Sequence, residues 1–227
     1  MKTNYLGIHE ERYKKLKKTG APGWGGDANE RIVQKKLRKV SNALQRESLN
    51  EFGKLLELGC GDGSVTLPLA QRGFKVYGID ISPTAISWAQ ENAQAQDLQA
   101  DFRVGNVVNL PYTEGFFDLA IDADCSHCVI GEDRKAFFSG VIRVLKCGGY
   151  FILMSLCGDP IEEVMKRDFD PITRYIVRDG VAGRYYGLPE GILGEMGAVG
   201  FHIIRWEVKQ DPTTNQEELS VVARKTE

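Results

Sequence analysis

The sequence predicts a doubly wound α/β fold, a mostly parallel sheet with helices on both faces. Three observations predict it. Short apolar runs that read as strands alternate with segments of helical period between residues 55 and 155, the rhythm of the crossover units that build parallel sheets. The runs after the first carry little polar alternation, as strands covered on both faces require. The chain, at 227 residues with 42% hydrophobic and 26% charged residues, is long enough to bury one large core without disulfides or metals.

Taken in order, residues 1–30 are polar and glycine-rich, and Gly20-Ala21-Pro22-Gly23-Trp24-Gly25-Gly26 excludes regular helix. Asn29 is placed to cap a helix from about Glu30 to Glu47, with Ile32, Val33, Leu37, Val40 and Leu44 at near-helical spacing. Leu55 to Leu58 reads as a buried strand that ends in a glycine turn. Ser64 to Arg72 reads as a helix stopped by Gly73, and Lys75 to Asp80 as a second strand. Ser82 caps the next helix and Pro83 opens it, and it runs to about Ala95. Asp101 to Gly105 and Phe117 to Asp122 are the third and fourth strands. Glu132 to Leu145 is a helix that Gly148-Gly149 terminates, and Tyr150 to Ser155 is the fifth strand. Residues 158–188 break the rhythm and, rich in charge, Gly, Pro and Tyr, read as an inserted lid. A helix at about 189–199 precedes two closing strands, Phe201 to Val208 and Leu219 to Arg224, joined by a turn at Asp211 to Asn215. The organisation expected is an N-terminal extension and helix over residues 1–50, acting as a cap, and one domain over 51–227 that holds the lid insert at about 158–188.

A net charge of −2 and a pI of about 6.0 supply no global field for nucleic acid or anionic membrane. The basic run Arg12 to Lys18 reads as a solvated face, with a nucleic-acid arm as the rarer alternative. No apolar run reaches the roughly 18–20 residues that span a bilayer, and the N-terminus has no apolar signal core, so a cytoplasmic protein is expected. The five cysteines, Cys60, Cys125, Cys128, Cys147 and Cys157, then read as reduced thiols.

Glu57-Leu58-Gly59-Cys60-Gly61-Asp62-Gly63 lies at the carboxyl end of the first strand, where doubly wound sheets bind ligands. Glycines there permit positive φ and close approach of backbone to a ligand, and the following helix offers free N–H groups. A dinucleotide fingerprint needs glycine at position 64, which is Ser64. Asp80 ends the second strand, placed to accept both ribose hydroxyls, and Asn106 follows the third with an acceptor oxygen. The series Glu57 to Gly63, Asp80, Gly105-Asn106-Val107, Phe117 to Asp122 and Val144-Leu145-Lys146-Cys147-Gly148-Gly149 resembles the class I S-adenosylmethionine (SAM)-dependent methyltransferases, in the family's order over about residues 52–157. Cys147 departs from that family's pattern, which has proline there.

The resemblance implies a Rossmann-like, seven-stranded sheet with an antiparallel closing strand, SAM as cofactor, S-adenosylhomocysteine (SAH) as product, and no metal. It implies a cofactor site formed by Glu57, Gly59, Cys60, Gly61, Gly63, Asp80, Ile81, Asn106, Val107, Asp122 and Ala123. His127 is a cofactor contact, a general base or a loop histidine with no chemical role. Trp24 is a lid over the cofactor or a packing anchor. No catalytic residue is assigned; if the acceptor must lose a proton, His127 and Asp122 are the candidate bases. Cys125-Ser126-His127-Cys128 invites a zinc reading, but only His9 and His202 remain as further histidines and no second C-x-x-C follows. Arg174, Tyr185 and Tyr186, with Arg178 and Arg184 nearby, read as acceptor-pocket residues or as surface structure. The function expected is methyl transfer to a small-molecule acceptor by a monomer or homodimer. The rivals are a SAM- or SAH-binding protein without transferase activity, a nucleic-acid or protein methyltransferase, an enzyme using a decarboxylated SAM donor, and an NAD-dependent oxidoreductase, which Ser64 disfavours.

Overall fold

The computed structural model describes residues 2–49 and 53–226. The boundary expected at residues 50–51 lies outside the described residues. In chain order the elements are β1 (Lys2–Thr3), α1 (Tyr5–Lys18), α2 (Asn29–Arg46), β2 (Lys54–Leu58), α3 (Thr66–Gln71), β3 (Lys75–Asp80), α4 (Pro83–Ala95), β4 (Ala100–Val104), β5 (Phe117–Ala123), α5 (Asp133–Val144), β6 (Leu145–Leu156), α6 (Glu163–Lys166), β7 (Phe169–Asp170), β8 (Tyr175–Arg178), β9 (Val181–Tyr185), α7 (Pro189–Ala198), β10 (Phe201–Gln210) and β11 (Glu217–Lys225). Short 3-10 turns lie at Gly26–Ala28 and Ser126–Cys128.

The main sheet has seven strands in the order β10-β11-β6-β5-β2-β3-β4. β6, β5, β2, β3 and β4 run parallel, and β11 closes antiparallel against both β6 and β10. The chain leaves β2 toward one edge through β3 and β4, then returns to start again at β5 on the other side. The reversal places a crevice at the carboxyl ends of β2 and β5, the position that binds ligands in such sheets. Side-chain alternation sorts the core into two layers. Leu55, Leu119, Ile121 and Ile152 face Val40 and Leu44 of α2 and Leu69 of α3. Leu56, Leu58, Ala120, Phe151 and Leu153 face Phe137, Phe138 and Val141 of α5 and Met196 of α7.

Several elements depart from the sequence expectation. α1 occupies residues to which no element was assigned; only Tyr13 of it is buried, so its apolar signal is thin, and its start is fixed by the Asn4 side chain accepting the Gly7 N–H at 3.1 Å. Asn29 does not cap α2 but begins it. Its side chain turns back to accept the Gly25 N–H and donate to the Pro22 carbonyl, both at 3.1 Å, tying down the glycine-rich segment. α3 is shorter than expected, because the glycine turn extends to Val65 before helical bonding begins. Gly148-Gly149 does not end α5. The helix stops at Val144, Leu145 is already extended, and the glycine pair sits inside β6, where Gly148 takes φ +75° and the pairing with β5 shifts register. Ser82 and Pro83 do start α4 as expected, the Ser82 hydroxyl accepting the Ala85 N–H at 3.0 Å.

The insert folds as a second, four-stranded sheet, β1-β9-β8-β7. Its edge strand comes from the other end of the chain: β1 runs parallel to β9, with Lys2 opposite Val181 and Thr3 opposite Ala182. Extension and insert are therefore one structure, set over the crevice.

Candidate functional site

The floor of the crevice is the glycine loop. Gly59, Gly61 and Gly63 take φ of +66°, +56° and +78°, a region costly for side-chain-bearing residues. Each glycine has its own neighbour. A Cβ on Gly59 would lie 2.7 Å from the Cys125 side chain, and one on Gly61 would lie 2.4 Å from Tyr13 Oη. Gly63 faces Phe102, Ala89 and Leu67, so it serves packing of the loop on α4 and β4 and does not line the cavity.

Two carboxylates hold this loop. Asp80, buried at the end of β3, accepts the Gly61 N–H at 3.0 Å with one oxygen and the Ser82 N–H at 2.9 Å with the other. Burial raises its pKa despite these bonds and the nearby His9 charge. Glu57, buried on β2, accepts the Thr66 hydroxyl, and burial, against that bond and the Lys36 charge, pushes it up to about 8. Asp62 takes the Ser64 hydroxyl at 2.7 Å, while its second oxygen is buried without a partner.

The walls come from the loops after β4 and β5. Asn106 Oδ1 accepts the Val108 N–H at 3.0 Å, which shapes the turn that brings Asn106 and Val107 to the cavity. Asp122 is fully buried and accepts the N–H groups of Cys125 and Ser126 at 2.6 and 2.9 Å. It shapes the turn carrying His127 and does not itself line the cavity; burial raises its pKa to about 6. Ala123 lines the cavity, and its carbonyl accepts the Lys36 ammonium at 2.8 Å. His127 also lines it and is 4% exposed, with Nδ1 unpartnered.

The roof is α1 and the glycine-rich segment after it. Glu10 accepts the hydroxyls of Ser82 and Thr84 at 2.6 and 2.7 Å and the Thr84 N–H at 3.2 Å, locking α1 to the first turn of α4. Negative charge at a helix N-terminus is favourable. Trp24 lies against Tyr13 and His9, ring centroids 4.9 and 5.7 Å apart, with the Arg12 guanidinium 4.3 Å from its ring. Trp24 is therefore both a packing anchor and part of the cavity wall. Arg184 and Tyr186 of the second sheet complete that wall. Arg174 and Tyr185 do not line it. The Arg174 guanidinium donates to the Tyr186 and Gly158 carbonyls and to Asp159, and Tyr185 lies under Arg134, 4.2 Å from ring to guanidinium. Arg174 is an internal strut of the insert, and Tyr185 fixes the insert to α5.

The enclosed space is about 400 Å³, within the range of small-molecule sites. It brings together Glu57, Gly59, Cys60, Gly61, Asp80, Ile81, Asn106, Val107, Ala123, His127 and Trp24 of the expected site. Residues missed by the sequence reading are Tyr5, His9, Arg12 and Tyr13 of α1. Their spacing of four, three and one is that of a single helix face, a signal obscured by the surrounding lysines. Among the described residues, no group of three or more His, Cys, Asp or Glu could hold a metal ion, and no helix is long and apolar enough to cross a membrane. All five cysteines are free thiols.

Residues 56–153, from β2 into β6, match the methyltransferase domain family model. This span is similar to the methyltransferase domains of the class I SAM-dependent enzymes. The matched span carries the floor and the loops after β4 and β5; Trp24, Arg184, Tyr186 and the α1 roof lie outside it. The methyltransferase domain is 38% identical over 113 residues to an uncharacterized methyltransferase of Synechocystis, covering 50% of this chain and 51% of that protein. It is 34% identical over 128 residues to norajmaline N-methyltransferase of Rauvolfia serpentina, covering 54% and 43%. The chain thus spans about half the length of the curated relatives it matches. A SAM-dependent methyltransferase structure from Methanosarcina mazei superposes with a TM-score of 0.66 at 26% identity, over 81% of this chain and 97% of that one.

Proposed function

We propose that this protein transfers the methyl group of SAM to a small-molecule acceptor inside the closed cavity, with residues 1–49 and the 158–188 insert as one cap over the methyltransferase domain. The observation that carries the reading is the glycine loop at the carboxyl end of β2, held at positive φ along the cavity and tied by its Gly61 N–H to the buried carboxylate of Asp80. Asp62, among the residues that line the same space, keeps one buried carboxylate oxygen without a partner, which fits a ligand that brings donors. Asp80 is placed to receive the ribose hydroxyls while it holds the loop through Gly61 and Ser82, and Asn106 and Val107 to meet the adenine. SAM supplies an activated methyl carbon with its own leaving group. The chain's residues align the two reactants and exclude water, which suits an in-line displacement. The N-methyltransferase among the relatives supports a small acceptor, as does a cavity of about 400 Å³ roofed by Trp24 and Tyr13. Isothermal calorimetry with SAM, SAH and NAD tests the cofactor half. SAM and SAH binding, lost in Asp80→Ala, is the expected outcome; binding of NAD alone would refute it. A structure with SAH bound would then outline the acceptor.

A further inference from the structure

Arg12, Arg31, Lys35, Lys36 and Arg184 line the cavity, and they fall into two groups. Three are neutralised by the protein itself. Lys36 lies 3.0 Å from Asp124, Lys35 lies 2.7 Å from Asp211, and Arg31 lies 3.6 Å from the same carboxylate. Among the described residues, neither Arg12 nor Arg184 has a carboxylate within ion-pair reach. Arg12 donates to the Trp24 carbonyl at 3.2 Å and lies over the Trp24 ring, and neither contact brings a full counter-charge.

The two guanidiniums come together on one side of the cavity. Arg184 belongs to β9, and α1 packs on that strand beside it: a Cβ on Gly183 would lie 3.6 Å from Ile8 Cδ1. Arg12 follows Ile8 by one helical turn, on the same face of α1. Burial, and after it the Arg184 charge, lowers the pKa of Arg12, as two like charges facing one cavity require.

Arg184 also stands apart from the positions proposed for ribose and adenine, which lie at the carboxyl ends of β3 and β4. β9 packs on the turn Ser126–Cys128 that follows β5. The chain just past β9 is bonded to the chain just past β6, the Gly158 N–H donating to the Gly187 carbonyl at 3.1 Å. Arg184 is thus held over the β5 and β6 half of the crevice, and the buried Tyr186 ring lines the cavity next to it. A half-buried guanidinium without a counter-charge is unfavourable until a ligand brings one. Its planar fork matches a carboxylate through two parallel hydrogen bonds.

We propose that Arg184, with Arg12 as the second cation, holds a carboxylate of the acceptor, so that the acceptor is a small carboxylic acid methylated at another of its atoms. The assignment to an acceptor rests on the methyl transfer proposed above. The carboxylate takes no part in the displacement. It fixes the direction in which the acceptor's nucleophilic atom points, and it selects against neutral analogues, which leave the guanidinium unpaired.

The test is calorimetry on the full chain loaded with SAH, using matched acids and amides: salicylate and salicylamide, anthranilate and anthranilamide, phenylacetate and phenylacetamide. At least one acid should bind, about tenfold or more tighter than its amide, the range for a hydrogen bond to a charged group. Arg184→Gln should remove that preference. Arg184→Lys, which keeps the charge and loses the fork, should retain part of it. SAH affinity should stay within about twofold of wild type in both variants, which also reports that they fold. SAH affinity lowered about tenfold in Arg184→Gln would give Arg184 to the cofactor's own carboxylate and overturn the proposal. So would acids and amides that bind alike, or a panel in which no acid binds. Failure of the wild type to bind SAH is a separate outcome: it removes the methyltransferase reading, and the acceptor assignment with it, even where acids still bind the free protein through Arg184.

Discussion

The floor and the roof of the cavity are built on different principles. The floor is local: within 24 residues, from Glu57 to Asp80, the chain supplies a strand, a glycine loop and the carboxylates that hold it. The roof is assembled from distant pieces, α1 on one side and the 158–188 insert on the other, joined by β1 against β9 and by Glu10 on α4. Floors of this kind fix a reaction class, because they position one cofactor. Roofs fix an acceptor, because specificity concentrates in segments that vary on a rigid scaffold.

Four substitutions sharpen or break this division, in descending order of effect. Gly61→Val should abolish SAM binding in calorimetry while circular dichroism still reports the fold, since the side chain meets both a φ of +56° and Tyr13. Normal SAM affinity would mean that the loop is a structural turn alone. Asp80→Ala should weaken SAM binding by about 1.5–3 kcal/mol, the range for hydrogen bonds to a charged group. An unchanged Kd in a folded variant would remove Asp80 from the site.

Glu10→Ala acts on the roof. Losing the bonds to Ser82 and Thr84 should cost about 0.5–2 kcal/mol, as for a lost helix cap, and should free α1 from α4. Limited proteolysis in the segment 19–28 should accelerate, with SAM affinity reduced less than in Asp80→Ala. If affinity falls as far as in Asp80→Ala, floor and roof are not separable. The last effect is one of pH, and it is read on stability, not on SAM affinity. Glu57 has its pKa raised from 4.5 to about 8 by burial. A raised carboxylate contributes stability that is fully present below pH 4.5 and lost as pH climbs through 8, because the folded state binds the extra proton. Glu57→Gln should flatten that limb in urea titrations between pH 5 and 8, and a limb of the same slope in both proteins would exonerate Glu57.

The same division explains what was legible in the sequence. The strands β2 to β6 and the Ser82-Pro83 helix start are written in neighbouring residues, and their signals survive without knowledge of the fold. Gly63 shows the limit of motif reading: it belongs to the glycine pattern, but the contact that demands it is with Phe102, not a ligand. Arg174 and Tyr185 have the chemistry of an acceptor pocket, yet Arg174 is held by carbonyls of the insert and Tyr185 by Arg134 of α5, and neither lines the cavity. β1 could not be read at all, because two residues pair with a strand nearly the whole chain away and carry no periodicity of their own. α1 escaped for a related reason. Its cavity face of Tyr5, His9, Arg12 and Tyr13 is polar and aromatic, and it earns its place through contacts made across the cavity.

The pairing of Lys2–Thr3 with Val181–Ala182 also sets an order of events in biosynthesis. Of the strands described, β1 has the longest wait for its neighbour. At about 5–20 residues per second, α1 and β1 wait on the order of 10–40 s for β9 to be made, while β2 to β6 can already pair behind them. A nascent chain ending shortly after β6 therefore holds the floor and, through Glu10 on α4, the α1 half of the roof, while the insert that pairs with β1 is still to be made.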